Sequence, residues 1–255
     1  MLKLASWNVN SLKVRLEHIL QWLQVSQVSV LAIQETKLVD ENFPTARFIT
    51  QGFHVAYIGE RQYNGVAIIS RLPITDSLVS IPNFMDPQRR VIAATIGDLR
   101  LINLYVPNGG SLTSDKYVYK LRWLEKITDF IKEQLASYPK LAVVGDFNIA
   151  PQDLDVYDPL AWQGSVLVSV PERQAFAALL ALGLNDSLRS FSQEKVFSWW
   201  DYRAAAFRRN QGLRIDHILL SKELNYSCVN AQIDKVPRGW ARPSDHAPVF
   251  VSLDF

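Results

Sequence analysis

The 255-residue sequence contains a single cysteine, Cys228, so an intrachain disulfide and a cysteine-built zinc site are both excluded. No apolar run approaches the roughly 18 residues that a membrane-spanning helix needs. The opening Met1-Leu2-Lys3-Leu4-Ala5-Ser6-Trp7-Asn8 turns polar too early for a secretory signal, so a reducing, cytoplasmic setting is expected. Glycine (11) and proline (12) are scattered as turn punctuation, with no linker, low-complexity run or short repeat, and residues 1–255 read as one domain. A Walker-type phosphate loop, a dinucleotide fingerprint and a serine nucleophile elbow are also missing, which removes three large enzyme classes. Nor does one sign of charge dominate. Lys and Arg (27) against Asp and Glu (25) give +2, which neither demands nor excludes a nucleic-acid partner. Basic residues do cluster locally, at Gln88-Arg89-Arg90 and at Arg203 with Phe207-Arg208-Arg209. No oligomerisation signal stands out, so a monomer is expected.

What is present is the periodicity of a mixed α/β protein. Leu12, Leu16, Ile19, Leu20 and Leu23 share one helical face, with Asn10 or Ser11 as N-cap. A second helix is predicted over Asp115–Ser137, its stripe formed by Val118, Leu121, Leu124, Ile127, Ile131 and Leu135. A third begins near Pro171 behind a Ser169 cap and stops at Gly183. Eight β-rich runs surround them, over residues 2–7, 28–33, 65–70, 90–96, 99–105, 141–145, 213–220 and 249–255. Gly97-Asp98 is placed to turn a hairpin between two of these. Strands outnumber helices, so two packed mixed sheets flanked by helices fit better than βαβ alternation.

Polar residues stand where the apolar runs stop: Asn8, Glu35, Tyr105, Asp146 with Asn148, and Asp245-His246 before the last strand. Each alone has an ordinary reading as a turn or cap. Asp216, read as lying inside the 213–220 strand, has none, because a carboxylate among apolar neighbours is costly unless paired or ligating. Together they suggest strand ends converging on one rim. The oxygen donors Glu35, Asp146, Asp216, Asp245, Asn8 and Asn148, with one histidine and no thiolate, favour Mg²⁺, or Mn²⁺, over zinc. That is the metal chemistry of phosphoryl transfer. His18, His54 and His217 read as structural or exposed.

These residues fall in segments that resemble the exonuclease III family of DNA-repair nucleases, within the wider endonuclease/exonuclease/phosphatase superfamily. The segments are Trp7-Asn8-Val9-Asn10-Ser11-Leu12, Gln34-Glu35-Thr36-Lys37, Tyr63-Asn64-Gly65-Val66-Ala67, Arg90-Val91-Ile92, Tyr105-Val106-Pro107-Asn108, Gly145-Asp146-Phe147-Asn148, Trp199-Trp200-Asp201-Tyr202-Arg203, Leu213-Arg214-Ile215-Asp216 and Ser244-Asp245-His246. They occur in family order from residue 7 to 246. The resemblance implies a four-layered α/β-sandwich (DNase I-like). It further implies Mg²⁺-dependent hydrolysis of phosphodiesters in double-stranded DNA: 3′→5′ exonuclease action, incision beside abasic sites and cleaning of blocked 3′ ends, by a bacterial-type enzyme working on the nucleoid.

By the same resemblance, Glu35 holds the metal with Asn8 and Asp245 close by. Asp146 positions or activates the attacking water, or protonates the leaving group. Asn148, His246 and Tyr105 donate hydrogen bonds to the phosphate, and Asp216 orients His246. Asp245 is excluded as the partner of its neighbour His246, since adjacent residues in a strand point to opposite faces. Lys37, Arg90, Asn108 and the Arg203–Arg209 loop are expected on the DNA backbone, while Trp199, Leu213 and Ile215 wall a pocket for a flipped-out sugar. Residues 151–170 match loosely, and Leu167 stands where a small residue would leave more room beside that pocket. The competing readings are a superfamily relative acting on inositol phosphates, sphingomyelin or poly(A), which shares the Asn, Glu, Asp-x-Asn and Ser-Asp-His framework, and an inactive DNA-binding module, which would have lost part of it.

Overall fold

The computed structural model describes residues 1–254, so Phe255, which falls in the last predicted strand, lies outside the described residues. The first half of the chain runs β1 (Leu2–Asn8), α1 (Leu12–Ser26), β2 (Val30–Gln34), α2 (Thr45–Ile49), β3 (His54–Ile58), β4 (Val66–Ser70), β5 (Thr75–Leu78), β6 (Val91–Ile96) and β7 (Leu99–Tyr105). The second continues through α3 (Asp115–Ser137), β8 (Leu141–Asp146), α4 (Pro159–Trp162), α5 (Val170–Ala181), β9 (Asn185–Asp186), β10 (Asp216–Leu220), α6 (Lys222–Tyr226), β11 (Cys228–Ile233) and β12 (Val249–Leu253).

The strands form two six-stranded sheets, ordered β11-β12-β1-β2-β4-β3 and β5-β6-β7-β8-β10-β9. Each has one parallel pair near its centre, β1–β2 and β7–β8, bridged by a helix because a parallel pair cannot be closed by a tight turn. The inner faces meet in a core that includes Leu4, Ala32 and Ile68 of one sheet with Ile92, Leu101 and Val144 of the other. α1 and α2 cover the outer face of the first sheet; α3 and α5 cover that of the second. This is the expected four-layered α/β-sandwich. No helix among the described residues is long and apolar enough to cross a membrane.

The three predicted helices are present. α3 buries Tyr117, Lys120, Trp123, Leu124, Ile127, Phe130 and Ile131, and leaves Val118 67% exposed. The rest of the predicted stripe faces the core, with Leu124, Ile127 and Ile131 buried and Leu121 and Leu135 packed against them; only Val118 falls outside it, and Lys120 stands on the core face instead. Ser169 does cap α5, in a reciprocal box with Glu172. At α1 the capping position is Ser11, but its side chain makes no cap bond. β10 starts at Asp216 rather than 213, so this carboxylate also terminates a strand instead of interrupting one.

The register of the sheets converts these strand ends into one rim. Tyr105 pairs with Asp146 and Asp216 with Asp146 in the second sheet; Asn8 pairs with Gln34 in the first. Gly145, at φ +146°, permits the close approach of β7, where an added Cβ would lie 1.9 Å from the Leu104 carbonyl oxygen. Beneath the rim, fully buried polar groups join the sheets. Gln34 donates to Ser6 Oγ (2.9 Å) and Asn103 Oδ1 (2.7 Å), while Asn103 Nδ2 donates to the carbonyls of Ile33 (3.0 Å) and Ala67 (2.9 Å). Asn103→Ala leaves two carbonyls and one amide donor short of a partner, and is expected to lower stability by about 2–4 kcal/mol in urea unfolding.

Candidate active site

Asn8, at the end of β1, spans the two sheets: its amide donates to Glu35 Oε1 (2.8 Å) and to Asp146 Oδ2 (2.9 Å). Glu35 follows β2 at φ +55°, in the left-handed region that few non-glycine residues occupy, and Asn10 (+43°), Lys37 (+55°) and Asn148 (+49°) share it. Four such residues in one place mark a site whose side chains are aimed at a cost of about 1–3 kcal/mol each. Lys37 Nζ lies 2.8 Å from Glu35 Oε2 and donates to Asn10 Oδ1 (2.5 Å). Asn10 Nδ2 in turn donates to Asp245 Oδ1 (2.9 Å), and Trp199 Nε1 to Asp245 Oδ2 (2.9 Å).

From the loop before β12, His246 reaches across to the second sheet: its Nδ1 faces Asp216 Oδ2 (2.9 Å), and its Nε2 points towards Asp146 Oδ2 (3.8 Å). Ser198 fixes Asp216 by donating Oγ–H to Oδ2 (2.6 Å). Asn148 donates its backbone N–H to Asp146 Oδ1 (2.9 Å) and its Nδ2 to the Val106 carbonyl (3.0 Å), and its Oδ1 accepts from Asn108 Nδ2 (3.1 Å). The Tyr105 hydroxyl is buried within reach of the Glu35 and Asp146 charges.

Burial opposes charge on His246, but the carboxylates of Asp216 and Asp146 outweigh it and raise the pKa to about 10. The ring is therefore an imidazolium at neutral pH. Burial raises Asp146 to about 7, with Asp216 adding and the His246 charge and Asn8 amide opposing. Burial, Glu35 and Asp146 push Tyr105 well above the ordinary phenol value, so it stays a donor. At Asp245 the His246 charge and the donors Trp199 and Asn10 overcome burial and lower the pKa.

Glu35, Asp146 and His246 present ligand atoms within 4.8 Å of one another, a cluster able to hold a metal. A protonated His246 offers no lone pair, which leaves the carboxylate oxygens and hence a hard cation. The residues fit that group, and Lys37 already places a positive charge on Glu35.

Of the fourteen residues singled out from sequence, the eleven at Asn8, Glu35, Lys37, Tyr105, Asn108, Asp146, Asn148, Trp199, Asp216, Asp245 and His246 form one connected constellation. Arg90 joins it through Tyr105, stacking 4.6 Å over the ring and donating to its carbonyl (3.1 Å). Leu213 and Ile215 lie behind Trp199, packed with Ala150 and Val156. Arg203 pairs with Asp201 at 2.6 Å on the surface. His217 is structural as expected: burial, then Arg214, lowers it to about 4 and keeps it neutral. Asn10 and Ser198 were missed in these roles. Asn10 carried the signal of a cap, and Ser198 none.

The model of the endonuclease/exonuclease/phosphatase family matches residues 5–246. The chain belongs to that family. Among curated relatives, exodeoxyribonuclease III of Haemophilus influenzae is 32% identical, over 99% of this chain and all of its own. Among solved structures, a 3′ phosphatase from Neisseria bound to a product DNA hairpin superposes at a TM-score of 0.99 with 44% identity, covering all of both chains. An AP endonuclease from Archaeoglobus fulgidus superposes at 0.97 with 35% identity, again over all of both. The framework shared by the wider superfamily is thus accompanied by full-length likeness to its exonuclease III branch.

Removing the Asp216 charge withdraws the main support of the imidazolium. In Asp216→Asn the His246 pKa is expected to fall by more than one unit towards the ordinary value near 6.5. An imidazole NMR titration of the metal-free protein checks this. A ring still protonated near pH 10 would contradict the assignment.

Proposed function

We propose that this protein is a Mg²⁺-dependent DNA-repair nuclease whose main work is at 3′ ends, removing nucleotides and blocking phosphates. The row Asp216–His246–Asp146, set beside Asn148 and Glu35 on one rim, is the observation that carries the reading. It combines a preorganised cation, a base of pKa about 7 and neutral donors on one rim.

Three activities need only one chemistry. In exonuclease action, abasic-site incision and 3′-phosphate removal, the bond broken joins phosphorus to a 3′ oxygen. Asp146 accepts a proton from the attacking water as its oxygen bonds to phosphorus. His246 Nε2–H, Asn148 Nδ2 and the Tyr105 hydroxyl donate to the phosphoryl oxygens as their charge grows, and the 3′ oxygen leaves with the bonding pair and takes a proton from solvent to become the 3′-hydroxyl. A metal held by Glu35, with Asn8 and Asp245 close by, would supply charge neutralisation at those oxygens and at the leaving group. Lys37, Arg90 and Asn108 would bear on the DNA backbone, positioning it without reading sequence. In this reading the enzyme acts as a cytoplasmic monomer on nucleoid DNA.

We read the balance as favouring 3′ ends over abasic incision because the residues expected to wall the sugar pocket pack against one another. Leu213 and Ile215 are 0% and 2% exposed, packed with Ala150, Val156, Trp162 and Trp199. Leu167, also buried, closes on them through its carbonyl, which accepts from Ala150 N (2.7 Å). The DNA-hairpin complex of the Neisseria relative supports the same choice; the Archaeoglobus relative keeps incision as the second reading.

Two duplexes separate them, one ending in a 3′-phosphate and one carrying an internal abasic analogue. Mg²⁺-dependent release of phosphate, with the abasic strand cut far more slowly, is expected; the reverse order would transfer the main activity to incision. Chelation should abolish both. Asp146→Asn should lower kcat by about 10³-fold while DNA binding persists.

A further inference from the structure

α3 buries one ammonium that the chemistry above does not use. Lys120 Nζ has three donors and three acceptors: Glu172 Oε1 (2.5 Å), the Asn148 carbonyl (2.7 Å) and the Asn108 carbonyl (3.1 Å). Both side chains of the ion pair are 0% exposed. Two of the three bonds therefore hold, from behind, the backbone of the two asparagines that line the phosphate site.

We propose that Lys120 is a positioning residue for phosphoester hydrolysis, locking Asn148 and Asn108 through their carbonyls, with Glu172 holding the lysine in place. The proposal rests on the reading of Asn148 as a phosphate donor. Asn148 sits at φ +49°, a left-handed turn conformation that asparagine tolerates and that its hydrogen bonds hold in place. Its N–H is taken by Asp146, its Oδ1 by Asn108 and one Nδ2 hydrogen by Val106, while the other Nδ2 hydrogen faces Asp146 Oδ2 (3.3 Å) at the site; Lys120 takes the remaining backbone group. Asn108 lies between β7 and α3 and Asn148 follows β8, so a single ammonium aligns two separate loops.

Glu172 extends the lock to the segment before α5. Its Oε1 also accepts from Leu167 N (3.0 Å), and its Oε2 accepts from Ser169 N (3.0 Å) and Ser169 Oγ (2.5 Å); Ser169 Oγ lies 2.6 Å from the Tyr117 hydroxyl, one helical turn before Lys120. A buried ion pair adds little net stability over a well-packed apolar pair, so stability alone gives no reason for a lysine here. Two carbonyls that must face one point do.

Lys120→Met alone strands the Glu172 charge and risks unfolding, so the informative variant is the neutral pair K120M/E172Q, which leaves no buried charge. Kinetics are measured on the Mg²⁺-loaded protein with a 3′-phosphate duplex, beside N148A and the triple variant. The folded K120M/E172Q protein should lose about 10- to 100-fold in kcat with KM little changed, the size expected for a displaced but intact donor. Added to N148A, the pair should cost far less in kcat than it does alone, because its effect on the chemical step passes through that side chain. A folded pair with wild-type kcat, or losses that multiply with N148A, would overturn the proposal. Melting of the pair together with retained kcat in the folded fraction would overturn it equally. Full activity in N148A itself would instead remove the phosphate-donor reading on which it stands.

Discussion

The active site exists because two sheets are held in one fixed registry. Glu35 and Asn8 come from the first sheet, and Tyr105, Asp146, Asn148 and Asp216 from the second, so a shift of a single residue between the sheets would separate them. The apolar core between the sheets cannot set that registry, since hydrophobic contact is non-directional. The polar seam can. Asn8 bonds a carboxylate on each side, and beneath it Gln34, Asn103 and Ser6 tie backbone to side chain across the interface. These groups are fully buried, where a mispaired amide costs most and registry is most strongly enforced.

The same economy of charge runs through the rim. Glu35, Asp146, Asp216 and Asp245 would repel one another, and each has an answer: Lys37 for Glu35, the imidazolium for Asp146 and Asp216, and Asn10 with Trp199 for Asp245. Ser198 and His246 both hydrogen-bond Asp216. The result is a site polarised before any substrate arrives, so little reorganisation is needed when charge builds on a phosphate. Behind it, Lys120 continues the pattern with a charge directed at backbone rather than at DNA.

Most of the rim was legible in the sequence because each member ends an apolar run, a local signal. Asp216 looked like an exception only because Leu213 and Ile215 extend its run; they belong to the wall beside Trp199, not to the strand. β3, β5, β9 and β11 escaped notice for a different reason: none is a buried run, and Thr75–Leu78 is exposed at every position, so neither alternation nor apolarity marks them. Residues whose meaning lies in a distant partner were invisible. Asn103 reads as a polar slip within a strand until Gln34 is beside it, and Lys120 as a surface lysine until Asn148 and Glu172 are. The resemblance to a known family reached the residues of the rim and stopped short of these supports.

The central claim is that the two halves of the rim meet around a hard divalent cation at Glu35. Anomalous diffraction from crystals soaked in Mn²⁺ tests it most directly. The account predicts one strong peak bonded to a Glu35 carboxylate oxygen on the Asp146 side, with the Lys37 ammonium displaced from Glu35. A peak bonded elsewhere with Glu35 still paired to Lys37, or none at millimolar Mn²⁺, would contradict it.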